Sequence, residues 1–191
     1  MAVVTLKSLG ITNLDAIPFI PQTTGEGSVG REHITNDQLA TGAADSIGSI
    51  YRLVRLPSNA KIKRLAWFGA NGASTGAADF DVAFSDSTID GTQPSLQGQI
   101  VQLTGPVDNK LFGAARSLTQ ASFNVENLIT FANTFTPAFQ NLPLWQVLIN
   151  LGVVSPTLFA FDPSGYFDIV AKLTTAQTVA GTLSMECRYV M

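Results

Sequence analysis

Two runs near the C-terminus change character with every residue. Phe167, Ile169, Ala171 and Leu173 alternate with Asp168, Val170 and Lys172. After Thr174–Thr178 the pattern resumes: Val179, Gly181, Leu183, Met185, Cys187 and Tyr189 interleave with Thr182, Ser184, Glu186 and Arg188. Side chains two apart share a face of a strand, whereas a helix brings together residues three and four apart. These runs therefore predict a long β-hairpin with one face in the core. No amphipathic helix satisfies the same spacing.

Upstream the signals are of the same kind. Gly48–Leu56 and Lys61–Phe68 read as two strands of a hairpin around the turn Pro57-Ser58-Asn59-Ala60, where the fixed φ of proline suits the turn. Asp79–Asp86 alternates, with Phe80, Val82 and Phe84 on one face and Asp79, Asp81 and Ser85 on a wet one. A further strand is expected at Gln99–Leu103. Asn141–Leu151 predicts one short helix: Asn141 can cap it, Pro143 is tolerated in the first turn, and Leu144, Leu148 and Leu151 share a face. Gly152 suits the left-handed C-terminal position. Short strands between Gly- and Pro-rich turns give a mostly β chain, an antiparallel β-sandwich with jelly-roll character.

Residues 1–45 predict something else, an extended N-terminal arm ahead of a sandwich domain over 46–191. Pro18 and Pro21 flank Phe19 and Ile20, Thr23–Gly30 is rich in Gly, Thr and Ser, and no period runs far. The apolar residues Leu9, Ile11, Leu14, Ile17, Phe19 and Ile20 are more than a solvated tail needs. They suggest a strap laid across a neighbouring subunit.

Charge narrows the function. Only 13% of the 191 residues are charged, against about 25% in ordinary soluble domains. The few charges are blocked: Arg52, Arg55, Lys61, Lys63 and Arg64 occupy 46–68 with no acid, and acids outnumber bases on both sides. The blocks suggest internal or intersubunit complementarity. With Ile17, Pro18, Phe19 and Ile20 of the arm, the basic residues Arg52, Arg55, Lys61 and Lys63 are the candidate partner contacts. Nucleic acid is a poor fit for an acidic chain without an aromatic stacking platform. No signal peptide is apparent. The run Leu142–Val154, broken by Pro143, Gln146, Asn150 and Gly152, is too short and polar to span a membrane.

Catalytic chemistry finds little to work with. His33 is the single histidine and falls in the predicted arm, away from packed structure. Cys187, the single cysteine, falls on an apolar strand face and reads as a small buried hydrophobe. Asp79 and Asp81 could share a cation, but the stretch lacks the features of a calcium loop. Neither a dinucleotide nor a phosphate loop motif occurs. The chain is expected to be no enzyme, with no catalytic residue, cofactor or metal.

The run GSIYRLVRLPSNAKIKRL, then ADFDVAFSD, then Trp145 on a short helix ending in Leu151-Gly152, then SGYFDIVAKLTTAQTVAGTLSMECRYV, resembles small structural proteins of tailed-phage heads, the decoration or minor head type. The likeness covers about residues 45–191, roughly three quarters of the chain, and includes no residue-level motif. It implies a β-sandwich bound to a capsid lattice in the virion, as a symmetric homo-oligomer with a trimer favoured. The major capsid protein or neighbouring virion subunits would be its partners, without nucleic acid or membrane. The alternative is a receptor- or glycan-binding sandwich using Trp67, Phe68, Asp79 and Asp81. A small RNA-virus coat would want a basic arm, and this one is acidic.

Overall fold

The computed structural model describes residues 3–15, 32–70, 76–84, 110–118, 126–128, 135–152 and 165–191. The strand expected at Gln99–Leu103 and the strap residues Ile17, Pro18, Phe19 and Ile20 lie outside the described residues.

The described strands are β1 (Thr5–Lys7), β2 (His33–Thr41), β3 (Ile50–Pro57), β4 (Lys61–Ala70), β5 (Ala77–Phe84), β6 (Gly113–Ser117), β7 (Glu126–Asn127), β8 (Tyr166–Thr175) and β9 (Gly181–Val190). They form two sheets, ordered β1-β3-β8-β5-β6 and β2-β9-β4-β7. From β2 onward the pairing is nested: β2 with β9, β3 with β8, β4 with β7, β5 with β6. A long antiparallel ribbon rolled up on itself pairs in this way, and that is the jelly roll. Strand β1 is added in parallel on the free edge of β3.

Alternation explains which residues face inward. Phe167, Ile169, Ala171 and Leu173 of β8 and Leu183, Met185 and Cys187 of β9 are all buried in one core. Tyr51, Leu53, Val54 and Leu56 of β3, Ile62, Leu65 and Trp67 of β4, and Phe80 and Val82 of β5 complete its centre. Trp67 and Phe80, from opposite sheets, tilt against each other with centroids 5.7 Å apart, so their contact joins the two layers.

Three expectations change. Neither predicted hairpin is a hydrogen-bonded pair. Strands β8 and β9 lie in different sheets, as do β3 and β4. Alternation reports which face of a strand is apolar, and two strands facing each other across a core satisfy it as well as two side by side. Residues 1–45 are not all extended arm. They contain β1, the helix α1 (Leu9–Leu14) and β2, a full edge strand paired with β9 from His33↔Tyr189 to Thr41↔Gly181. The buried alternation of His33, Thr35, Leu39 and Thr41 is what places β2, so the sandwich takes in residues well before 46. Finally, the outer face of β5 is not wet, since Asp81 and Ala83 are buried.

The short helix is present as α2 (Leu144–Asn150), after a 3-10 turn at Pro137–Asn141. Pro143, not Asn141, holds the cap position. The first amides of α2 need no side-chain cap: Leu144 N–H donates to the Ala60 carbonyl (2.9 Å) and Trp145 N–H to that of Ser58 (3.0 Å). The helix is thereby fixed to the β3–β4 turn. Gly152 closes it at φ +69°, a value that favours glycine. Among the described residues no helix is long and apolar enough to cross a membrane.

Candidate functional site

The sandwich's most concentrated charge lies on the outer face of the β3-β8-β5 sheet. Arg52 and Arg55 are three residues apart and would point to opposite faces of a regular strand. A register shift between Arg52 and Val54 admits Leu53 as an extra residue and brings both arginines to one face. There Asp168 of β8, fully buried, receives Arg52 Nη1 at 2.7 Å and Arg55 Nε and Nη2 at 2.7 and 3.1 Å. Arg55 also pairs with Asp15, at the end of α1, and Lys7 Nζ reaches Asp15 at 2.9 Å. Burial works against the charge on Arg55, but Asp168 and Asp15 outweigh it and hold its pKa above the ordinary value. Burial likewise acts to raise the Asp15 pKa, and Arg55 and Lys7 reverse it to a net lowering.

These bonds dock the segment 3–15. Val4 N–H donates to Ser49 Oγ (3.2 Å), and Ile50 N–H to the Val4 carbonyl (2.9 Å). Asp37, pointing inward from edge strand β2, accepts Ser8 Oγ–H at 2.6 Å and Gly10 N–H at 2.8 Å. Ile11 is buried beneath α1. An inward-pointing carboxylate and a covering helix are also what keeps an edge strand from pairing indiscriminately.

Arg52 and Arg55 are thus enclosed by the chain's own acids instead of facing a partner. The complementarity read from the charge blocks is internal here. A buried carboxylate on a neighbouring strand and the added bulge residue are the reasons, and neither is visible in the local pattern. Lys63 is likewise used at home: its Nζ donates to the Gln140 carbonyl (2.8 Å) and to Asn141 Oδ1 (2.9 Å). Lys61 stands half-buried at the start of β4, opposite Val190.

Asp79 and Asp81 shape the start of β6. Asp81 Oδ1 accepts Leu111 N–H at 3.0 Å, and Asp79 Oδ1 accepts Ala115 N–H at 2.6 Å. The second bond supports a residue held at φ +45°, where alanine is uncommon. Among the described residues no group of three or more His, Cys, Asp or Glu is placed to hold a metal ion. Burial, opposed by the Leu111 amide, reinforced by Asp79, and opposed by Lys172 and Lys110, raises the Asp81 pKa to about 7.

The glycan-site alternative loses its parts, because Trp67 is core and both aspartates are committed to backbone. His33 lies in β2, not in an arm. It is buried and stacked on Tyr189 at 5.2 Å, with no hydrogen bond at either ring nitrogen. Cys187 is fully buried, and burial pushes its thiol well above the usual range, which silences it as a nucleophile.

Two outcomes test this electrostatic reading. Asp168→Asn leaves two buried guanidinium groups short of a counter-charge, and should cost about 3–5 kcal/mol in urea unfolding. For Asp81 the folded carboxyl titrates near 7 and the free one near 3.8. Between these values the folded state holds a proton that the unfolded chain has lost, so stability falls as pH rises through the window. Asp81→Asn should flatten that fall, leaving the variant more stable than the parent at about pH 8. Unfolding curves at about pH 5 and about pH 8 would show it.

No family model and no curated protein matches the chain. Among solved structures, a chain from the capsid of Ralstonia phage GP4 superposes with a TM-score of 0.56, covering 98% of this chain and 98% of that one at 15% identity. At that identity the likeness is one of fold, shared with a chain from a phage capsid.

Proposed function

We propose that the chain is a non-catalytic structural protein of a tailed-phage particle. It acts as a decoration or cement protein that binds between capsid subunits and stabilises the shell. The observation that carries this reading is the end-to-end fold match to a phage capsid chain. The chemistry agrees. The one cysteine is buried, the one histidine is stacked in a sheet, and the carboxylates on the sheet's outer face hold backbone or arginine. Low surface charge suits a protein whose working surface is covered by neighbours.

Attachment is assigned to Ile17, Pro18, Phe19 and Ile20, an apolar cluster just ahead of the Gly-, Thr- and Ser-rich stretch Thr23–Gly30, with Lys61 as a peripheral contact. The partner is the major capsid protein or another virion subunit, and the setting is the virion. Many such contacts, each weak, multiply across a lattice.

The test uses phage heads stripped of this protein and the full-length chain added back. Saturable co-sedimentation, with heads that resist heat better when loaded, is the expected result. Replacing Ile17 and Phe19 with Ser should weaken binding by at least about tenfold while leaving the unfolding midpoint of the free protein unchanged. No binding to any head, at any loading, would refute the role.

A further inference from the structure

We infer that the outer face of the β2-β9-β4 sheet, at the end bearing Arg64 and Arg188, docks an acidic segment of another protein, a reading that rests on the proposed role and names the partner's chemistry. Ile34, Arg188 and Arg64 stand in one row across β2, β9 and β4. Their chain neighbours His33, Thr35, Cys187 and Leu65 are buried, so alternation turns the row outward. A register shift between Ile62 and Arg64 admits Lys63 as an extra residue. Without it Arg64 would face inward with Ile62.

Like charges directly opposite each other across a ladder repel. Here one carboxylate oxygen serves both guanidinium groups: Glu186 Oε1 accepts Arg188 Nε–H at 2.8 Å and lies 3.7 Å from Arg64 Nη1. The second separation is too long for a hydrogen bond. The side chains of Arg64 and Arg188 are 38% and 34% exposed. Lys61 falls on the same face by alternation. Lys63 beside it keeps its charge uncompensated, since its acceptors, the Gln140 carbonyl and Asn141 Oδ1, are neutral. Against these four bases the described side chains set two acids, Glu186 and the exposed Glu32, which attracts Arg188 from just ahead of β2. Four bases less two acids leave the patch at +2, on a chain whose net charge is −3.

Exposed guanidinium groups recognise carboxylates through paired N–H donors, and a pair short of acid is completed by a carboxylate from outside. A second copy meeting this face across a two-fold axis would set arginine against arginine. Its other described aspartates are engaged at home: Asp15, Asp37, Asp45, Asp79, Asp81 and Asp168 each hold donors of their own chain. Nucleic acid fits less well, because two carboxylates sit among the bases and the rest of the face offers neutral groups such as Asn36, Gln38, Thr182 and Ser184. Ile34, 40% exposed beside Arg188, adds an apolar contact, and such a mixture is that of a protein interface.

A nuclear magnetic resonance titration of the full chain with a capped oligoglutamate peptide, read at the arginine Nε–H signals, provides the test. At low salt the Arg64 and Arg188 signals should move and saturate, while those of the enclosed Arg52 and Arg55 stay in place. High salt should abolish the shifts. Arg64→Gln should weaken peptide binding by at least about fivefold. Glu186→Gln removes the internal competitor and should tighten it by about threefold. Lys172→Gln, at an exposed base on the other sheet, is the control and should change nothing. If Arg64→Gln does not fold, Glu186→Gln decides alone. A peptide that moves neither signal, a Glu186→Gln variant that binds no tighter than the parent, or oligothymidylate that binds as tightly as the peptide would overturn the inference. In the assay with stripped heads, Arg64→Gln should also bind more weakly. Heads that take up Arg64→Gln as well as the parent would overturn this inference and leave the proposed role intact. Heads that bind no parent protein, with the peptide still bound, would refute the role and leave this face as a site for acidic protein segments.

Discussion

The carboxylate of Asp168 is the point on which much of this structure turns. It is fully buried on a central strand and holds two arginines of the neighbouring strand. A buried charge is tolerable only when paired and hydrogen-bonded. Its environment therefore dictates the bulge at Leu53, which turns both arginines to the same face. Arg55 then offers its remaining edge to Asp15 and anchors α1. Through this chain of contacts a core strand, an edge strand and residues 3–15 become one unit.

The nested pairing gives that unit its economy. Each strand of the rolled ribbon has its ribbon partner in the same sheet, and the chain crosses between sheets at each turn from β2 to β5 and from β6 to β9. Apolar faces therefore meet across the core instead of along a ladder, as Trp67 and Phe80 do. Two of the described connections are tied down by side chain and backbone: Gln177 donates to Tyr51 at one end, and the first amides of α2 bond the β3–β4 turn at the other. Among the described residues Asp45, Arg52, Asp81 and Asp168 are buried, residue types that are almost never fully buried unless paired.

Much of this was legible in the sequence. The alternation over Phe167–Leu173 and Leu183–Tyr189 fixed both strands and their inner faces, and Phe80 and Val82 behaved as their spacing said. Strand partners were not legible, because period two is the same for a ladder and for two facing layers. Strand β2 was missed because His33, Thr35 and Thr41 are buried polar residues that weaken an apolar count. The basic residues were found but misplaced: Arg52 and Arg55 looked like open surface charge, and it is Asp168, the bulge and the docked segment 3–15 that enclose them on the sheet's outer face. One clue was present, a single acid set among Phe167, Ile169 and Val170. Strands so apolar do not carry a charge without a partner.

A shell protein differs from an accessory factor in how many copies of it a particle holds. Quantitative mass spectrometry of virions purified from cells that make this chain measures that number directly against the major capsid protein. The account predicts many copies per particle, in a fixed ratio to the major capsid protein set by lattice symmetry. Finding the chain abundant in the infected-cell lysate but absent from purified virions would contradict it.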